Sequence, residues 1–233
     1  MLIGPHNPRL LVIAPHADDE VLEAGGLIAK ASTHGTEVKV LYLTISGYAS
    51  RANEGHPSTE LRTSEVKAAV KSLGISSYAV LFEGEEQHLR LDQVPQAELI
   101  SFIDREVSSF RPSMAIIPGV DHYHQDHRAT ARASIAALRS GGGSERPMTP
   151  RVLGYGHALS GWGKHGRGFQ PDVFCDISQQ IEKKIAAFEC YASQVCQPPH
   201  VRSLENLHNV SAVTGAQIGV PFAEAFECIR WVL

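Results

Sequence analysis

Hydrophobic residues along this chain fall into short runs that are separated by longer segments with helical periodicity. The runs at 9–14 (RLLVIA) and 113–118 (SMAIIP) show no polar alternation, which is typical of strands buried on both faces of a parallel sheet. Segments 37–44 and 78–82 predict two further strands. The segments between and after these strands predict four helices, at 19–31, 58–73, 95–110 and 126–138.

The second half of the chain continues this pattern less regularly. Strands are predicted at 152–157 and 173–176 and a helix at 177–191, whereas 206–233 gives no clear pattern. Three residues with capping or terminating preferences mark helix ends: Ser58, Gly74 and Pro112. Alternating strands and helices with short connections predict an α/β fold, with a Rossmann-like, open, mostly parallel sheet covered by helices on both faces. The length of 233 residues favours a single domain, 1–233.

The composition is that of a globular protein, with 43% hydrophobic and 20% charged residues and a formal net charge of −4. These values exclude a disordered chain and argue against a nucleic-acid-binding protein, which would have a basic excess. No apolar run approaches the length of a membrane span, and the N-terminal run is too short for a signal peptide. The four cysteines form no C-x-x-C pair, so we expect reduced thiols and a cytoplasmic protein.

Ionisable side chains are concentrated directly after two of the predicted strands. Residues 15–20 (PHADDE) follow the first strand, and residues 121–127 (DHYHQDH) follow the fourth. Each segment alone has an ordinary explanation, because carboxylates favour a helix N-terminus and histidines suit an exposed turn. In open α/β sheets, however, ligands bind at the carboxyl ends of the strands. Two such segments at the ends of two strands of one sheet therefore favour a shared metal site.

The residue types in these segments suit a catalytic metal. Two imidazoles and one carboxylate with an open fourth position are the usual ligands of catalytic zinc, and a water on such a metal becomes a nucleophile near neutral pH. His124 and His127 are three residues apart and share a face once they are helical. Asp18 and Asp19 are adjacent, so one carboxylate can bind the metal while the other is free to act as a base.

Together these motifs resemble those of the PIG-L/LmbE-like superfamily of zinc-dependent de-N-acetylases. The family has a P-H-P-D-D-E segment after its first strand, and this chain has PHADDE with Ala17 in place of the second proline. The family's H-x-D-H segment corresponds to His124–His127. Weaker similarities occur at 62–65, 193–194 and 223–226. The resemblance covers most of the chain, and the two paired signatures are specific.

The resemblance implies a role for each matching residue. The metal ligands would be His16, Asp19 and His127. Asp18 would be the general base that activates the metal-bound water. His124 would stabilise the oxyanion in its charged form, with protonation of the leaving amine as a further role. Asp126 would orient His124. Separately from the resemblance, Arg62 is a candidate for binding a substrate hydroxyl or phosphate, and an ordinary arginine on the surface of the predicted helix is the alternative. The metal would be zinc, with ferrous iron as an alternative.

The implied reaction is removal of the acetyl group from an N-acetylglucosamine-type sugar or conjugate. The alternative is the same hydrolysis on a non-sugar amide, such as a thiol conjugate or an antibiotic intermediate. We therefore expect a small N-acetylated molecule as partner, with no nucleic acid and no membrane span. The sequence does not decide between a monomer and a homo-oligomer.

Two other classes of function make different predictions. A metal-binding module without catalysis has no need of a second carboxylate such as Asp18. A nucleotide-binding α/β protein would have a glycine-rich first turn, whereas the PHADDE turn of this chain contains no glycine. Trp162 is a candidate for stacking on a sugar, and His157 is a candidate for lining the pocket. The other histidines, His88 among them, show no ligand spacing and are interpreted as ordinary polar residues.

Overall fold

A computed structural model describes residues 8–47, 57–140, 148–156 and 168–232. In these residues the strands are β1 (Arg9–His16), β2 (Glu37–Ile45), β3 (Ser77–Glu83), β4 (Met114–Pro118), β5 (Arg151–Tyr155), β6 (Val173–Asp176) and β7 (Ala223–Trp231). The α-helices are α1 (Asp19–Thr33), α2 (Thr59–Leu73), α3 (Gln96–Phe110), α4 (Gln125–Ala137), α5 (Ile181–Glu189) and α6 (Leu204–Ala216). The candidates His157 and Trp162 lie outside the described residues.

The strands form one sheet in the order β3-β2-β1-β4-β5-β7-β6. The first five strands are parallel, and β7 runs antiparallel to both β5 and β6. The predicted mostly parallel α/β sheet is confirmed. The strand order reverses between β1 and β4, because β2 and β3 lie on one side of β1 and β4 and β5 lie on the other. Such a switch point leaves a crevice at the carboxyl ends of the two strands, where open α/β sheets bind ligands.

Both faces of the sheet are covered, as the unbroken apolar run of β1 predicted. Leu10, Val12 and Ala14 face one hydrophobic layer, which contains residues of α1, α2, α5 and α6. Leu11 and Ile13 face the opposite layer, which contains residues of α3 and α4. Because successive side chains of a strand point to opposite faces, a strand between two layers is apolar at every position.

Several helix ends follow from local chemistry. The Ser58 side chain accepts a hydrogen bond from the Leu61 N–H and caps α2, and Gly74 ends the helix with a left-handed φ of 70°. Inside α1, a glycine is required at position 26, because an added Cβ would lie 2.6 Å from Cγ2 of Ile177. The absence of a side chain there lets α1 approach the chain that leads into α5.

The structure corrects two sequence expectations in the C-terminal third. The helix predicted at 177–191 begins only at Ile181, because Ile177 still pairs through its N–H with the Phe222 carbonyl next to β7. The segment 206–233, which had no clear pattern, contributes most of α6 and all of β7. Among the described residues, no helix is both long and apolar enough to cross a membrane. The four cysteines are free thiols.

Candidate active site

The two motifs meet in the crevice between β1 and β4. His16 is the last residue of β1, and His127 lies in the first turn of α4. The strands are in parallel register, with Val12 opposite Ile116, so their carboxyl ends are neighbours. The centres of the His16 and His127 rings are 5.4 Å apart. The two segments therefore lie close together at one end of the sheet.

Three side chains of this crevice have the spacing of ligands to one metal ion. One ligand atom each from His16, Asp19 and His127 lies within 4.8 Å of the others. Asp19 Oδ2 is 3.4 Å from His16 Nδ1 and 3.3 Å from His127 Nε2. Two donors of a tetrahedral zinc, each about 2.0–2.1 Å from the metal, lie about 3.3 Å apart. The residues therefore fit a divalent metal, with Asp19 as the central carboxylate.

The charges of this group are consistent with a cation site. Burial by itself would raise the pKa of Asp19, but His127 and His16 outweigh it and hold the pKa well below its usual value. Burial also opposes the charged form of His16, yet Asp126 and Asp19 raise the pKa of this ring to about 9. Two carboxylates thus favour positive charge at His16. A metal bound to Nδ1 of His16 would replace the proton that the charged ring carries on that nitrogen.

Asp126 differs from its expected role. Its Oδ2 atom is 2.9 Å from His16 Nε2, and its Oδ1 atom accepts a hydrogen bond from the Leu91 N–H at 3.0 Å. His16, His124 and Asp126 form a second group with metal-ligand spacing, but the 2.9 Å contact is a direct hydrogen bond rather than a gap for an ion. The expectation that this carboxylate orients His124 is corrected: it holds His16 from the ring nitrogen opposite the metal group.

His124 lies at the N-terminus of α4 and caps it. Its Nδ1 atom accepts a hydrogen bond from the Asp126 N–H at 3.1 Å, so the proton of the neutral ring is on Nε2. Burial, together with the charges of His16 and His127, lowers the pKa of His124 to about 3. The expected cationic form is therefore corrected to a neutral imidazole with an Nε2–H donor.

Asp18 has an unusual backbone and a buried carboxylate. Its φ of 118° and ψ of −25° place it in the left-handed region, and its side chain does not cap α1. The carboxylate Oδ2 is 3.1 Å from Nη1 of Arg202. Within the described residues, Oδ1 is buried without a hydrogen-bond partner. Asp18 is not among the three residues with metal-ligand spacing, as is required of a carboxylate that acts as a base rather than as a ligand.

The last carboxylate of the PHADDE segment points into the protein interior. Glu20 is fully buried, and its Oε1 atom accepts a hydrogen bond from the Tyr191 hydroxyl at 2.6 Å. Its Oε2 atom accepts from the Asp18 N–H at 3.1 Å. Burial, aided by the charge of Asp18, raises the pKa of Glu20 to about 7. Glu20 therefore supports the turn from inside rather than facing a ligand.

Arg62, the candidate for substrate contact, is buried and supports the same turn. Only 4% of this residue is exposed. The guanidinium donates to the Ala17 carbonyl and to Glu65, the latter at 2.8 Å, and lies 3.4 Å from the Ser193 hydroxyl. With its donors engaged in this way, Arg62 holds the main chain of the PHADDE turn.

Three further site residues had little or no sequence signal. His122 stacks on the ligand candidate His127, with ring centres 4.1 Å apart, and the second motif did contain it. His88 lies 5.3 Å from His16 between ring centres, which corrects its interpretation as an ordinary polar residue. Its only signal was its place after the third strand, at the same edge of the sheet. Arg202 follows α5 and had no signal at all.

Comparison with known proteins agrees with this geometry. The fold and the site define an α/β protein that has two histidines and one carboxylate at metal-ligand spacing, at the switch point of its sheet. The family model described as PIG-L, GlcNAc-PI de-N-acetylase, matches residues 11–138. The chain belongs to this family, and the resemblance stated from the motifs is confirmed.

The chain is also similar to individual proteins over nearly its whole length. It is 26% identical to the diacetylchitobiose deacetylase of Thermococcus kodakarensis, covering 95% of this chain and 83% of that protein. It is 30% identical to the conserved protein TT1542 of Thermus thermophilus, with a TM-score of 0.75 and coverage of 96% and 95%. GalB, the 4-carboxy-2-hydroxymuconate hydratase of Pseudomonas putida KT2440, has a TM-score of 0.78 at 19% identity, with coverage of 97% and 98%. At that identity the last match shows the fold alone.

Proposed function

We propose that this protein is a metal-dependent N-deacetylase. Its substrate would be an N-acetylglucosamine-type sugar or conjugate, and its products acetate and a free amine. The observation that carries the proposal is the spacing of His16, Asp19 and His127. The carboxylate of Asp18, the residue before Asp19, is not part of this group and remains available as a base. Family membership and the similarity to a diacetylchitobiose deacetylase support the substrate class.

The metal would be held by the three ligands, with zinc favoured because two imidazoles and a carboxylate are its usual catalytic ligands and ferrous iron as the alternative. A divalent metal bound there would polarise the amide carbonyl and lower the pKa of a bound water. Asp126 would keep His16 in one orientation through the bond to Nε2. Such partners of metal-ligating histidines fix the tautomer of the ring.

The other residues would handle protons and charge. Asp18 would accept a proton from water as the oxygen forms a bond to the amide carbon. It would then pass that proton to the nitrogen as the carbon–nitrogen bond breaks, so that acetate and the amine leave with the atoms of one water added. His124 would donate its Nε2–H to the carbonyl oxygen while this oxygen carries negative charge.

Acetate release from a panel of compounds tests the activity. We expect turnover of N,N'-diacetylchitobiose or another N-acetylglucosamine conjugate by the zinc-loaded protein. Asp18→Asn should lower kcat by about 10²–10⁴-fold while keeping the metal, as for loss of a general base. Faster hydrolysis of non-sugar acetamides would select the alternative substrate class. Faster hydrolysis of esters than of every amide would contradict the proposal.

Metal analysis tests the ligand assignment independently of any substrate. We expect about one zinc or iron per chain in the wild type and a large loss in His127→Ala. His34→Ala is the matched control, because His34 is exposed and lies at the C-terminal end of α1, opposite the end that carries Asp19. Full metal occupancy in His127→Ala would show that the ligand set is wrong.

We infer further that residues 1–233 act as a single domain in the cytoplasm. The continuous sheet from β3 to β6 supports the first inference, and the four free thiols support the second, because reducing compartments keep thiols unpaired. Cell fractionation with a tagged full-length chain tests the location. Recovery in a secreted fraction would contradict it.

A further inference from the structure

Arg202 contacts the proposed base from a part of the chain that neither motif includes. It lies in the segment between α5 and α6. Its Nη1 atom is 3.1 Å from Asp18 Oδ2 and 2.9 Å from Gln194 Oε1. A quarter of the Arg202 side chain is exposed, whereas the Asp18 side chain is 2% exposed. The contact therefore pairs a buried carboxylate with an arginine at the edge of the crevice.

The Asp18 turn requires support from outside itself. A non-glycine residue at φ 118° is in a sparsely populated region, and such a conformation persists when surrounding contacts determine it. The Asp18 carboxylate makes no capping bond to α1 that would fix its rotamer. The ion pair with Arg202 engages Oδ2, which leaves Oδ1 as the carboxylate oxygen without a partner among the described residues.

The segment that carries Arg202 is also linked, through other side chains, to Ala17, the residue before Asp18 in the turn. Gln194 accepts a hydrogen bond from Arg202. The residue before it, Ser193, donates its N–H and its hydroxyl to Glu65 at 2.7 and 2.8 Å. Glu65 in turn accepts from Arg62, which donates to the Ala17 carbonyl. One connected set of hydrogen bonds therefore reaches the turn at two consecutive residues, the Ala17 main chain and the Asp18 side chain.

We propose that Arg202 is a positioning residue for Asp18. By holding Oδ2, it directs the carboxylate so that Oδ1 accepts the proton of the attacking water. This inference rests on the proposed function, in which Asp18 is the general base. It differs from a substrate-binding role, because Arg202 acts through Asp18 and its effect disappears when Asp18 can no longer take a proton.

A double-mutant cycle on the zinc-loaded protein tests the inference. The variants are Arg202→Met, Arg202→Lys, Asp18→Asn and Asp18→Asn combined with Arg202→Met, with acetate release as the assay. Arg202→Met should lower kcat by about 10²-fold with KM changed less than about threefold, because misplacing a reacting group by about 1 Å has effects of that size. Arg202→Lys should restore about tenfold of this loss, since the charge remains but the planar fork does not.

The combined variant carries the decisive comparison. If Arg202 acts through Asp18, adding Arg202→Met to Asp18→Asn should change kcat by less than about threefold. A further loss of about 10²-fold, or a rise in KM alone, would show that Arg202 acts on the substrate and would overturn the inference. Unchanged kcat in Arg202→Met would overturn it as well. Full activity in Asp18→Asn would instead refute the proposed base, so the two failures are distinguishable.

A structural measurement covers the case of weak activity or poor folding. Arg139→Met is the control for the removal of an arginine, because Arg139 is exposed and donates to the nearby Ala136 carbonyl. Crystal structures of the zinc-loaded wild type and of the two Arg202 variants should show the Asp18 carboxylate turned in Arg202→Met and closer to its original place in Arg202→Lys. An Asp18 side chain that stays unmoved in both variants would overturn the inference.

Discussion

Breaking the buried ion pair between Lys184 and Glu224 should strongly destabilise the fold, and two variants can measure the loss. Lys184 Nζ lies 2.7 Å from Glu224 Oε1, and each side chain is only 3% exposed. The Glu224 carboxylate also accepts the N–H groups of Gly26 and Leu27 at 2.8 Å each. These contacts join β7 and α5 to the middle of α1, the helix that carries Asp19 at its start.

The size of the effect follows from burial. Removing one partner of a buried pair leaves an uncompensated charge and typically costs 3–5 kcal/mol. Two N–H donors remain on Glu224 in Lys184→Met, so we expect the low end, about 3 kcal/mol. For a chain of this length, that corresponds to a fall in Tm of about 6–12 °C. Lys184→Met combined with Glu224→Gln buries no charge and should recover about half of the loss.

A second ion pair of the same length provides the control. Lys39 Nζ lies 2.7 Å from Glu106 Oε2, but the two side chains are 16% and 14% exposed. Lys39→Met should cost about 1 kcal/mol or less, because solvent screens this pair. Urea unfolding and thermal unfolding of the zinc-loaded protein measure both variants. Equal losses in Lys39→Met and Lys184→Met would refute the argument from burial.

Three further outcomes follow from single contacts. His124→Asn keeps a side-chain acceptor for the α4 cap but removes the Nε2–H donor, so kcat should fall about 10²–10³-fold while Tm stays nearly unchanged. A normal kcat in this variant would exclude the oxyanion role. Asp126→Asn weakens the hold on His16 and should lower zinc affinity about 10–100-fold, measured by competition with a chelator; unchanged affinity would exclude this role. Burial raises the pKa of Cys175 to about 12, so iodoacetamide at pH 8 should label the exposed Cys228 before Cys175. Peptide mass spectrometry measures the labelling, and equal labelling of the two thiols would contradict the prediction.

The parts of the fold that the sequence predicted are those with local or repetitive signals. The apolar run of β1 indicated a strand between two layers, and Ser58 and Gly74 marked the ends of α2. The meeting of His16 with His127 was predictable as well, because carboxyl ends of parallel strands lie at one edge of a sheet. These inferences need only the direction of the strands and the positions where they end.

The parts that were missed depend on contacts between distant segments. β7 lies between β5 and β6 and runs antiparallel to both, although it is the last strand in the chain. It is mostly buried over its first half, which pairs with β6, and mostly exposed or half-buried over its second half. Arg202 becomes a site residue only because the chain after α5 returns to the PHADDE turn. No periodicity or spacing in the sequence encodes such a return.

The error over Asp126 has a different origin, since helix geometry alone argues against the expected contact. Side chains two residues apart on a helix do not face each other, so a carboxylate in the first turn of α4 points away from the side chain of the N-cap residue, His124. The main-chain N–H of Asp126 does lie within reach of that side chain, as for any N-cap residue. A carboxylate so placed is directed across the crevice to the strand end that carries His16. The motif therefore identified Asp126 as a residue of the site. Its partner, His16, could be assigned only from the direction in which the Asp126 side chain leaves α4.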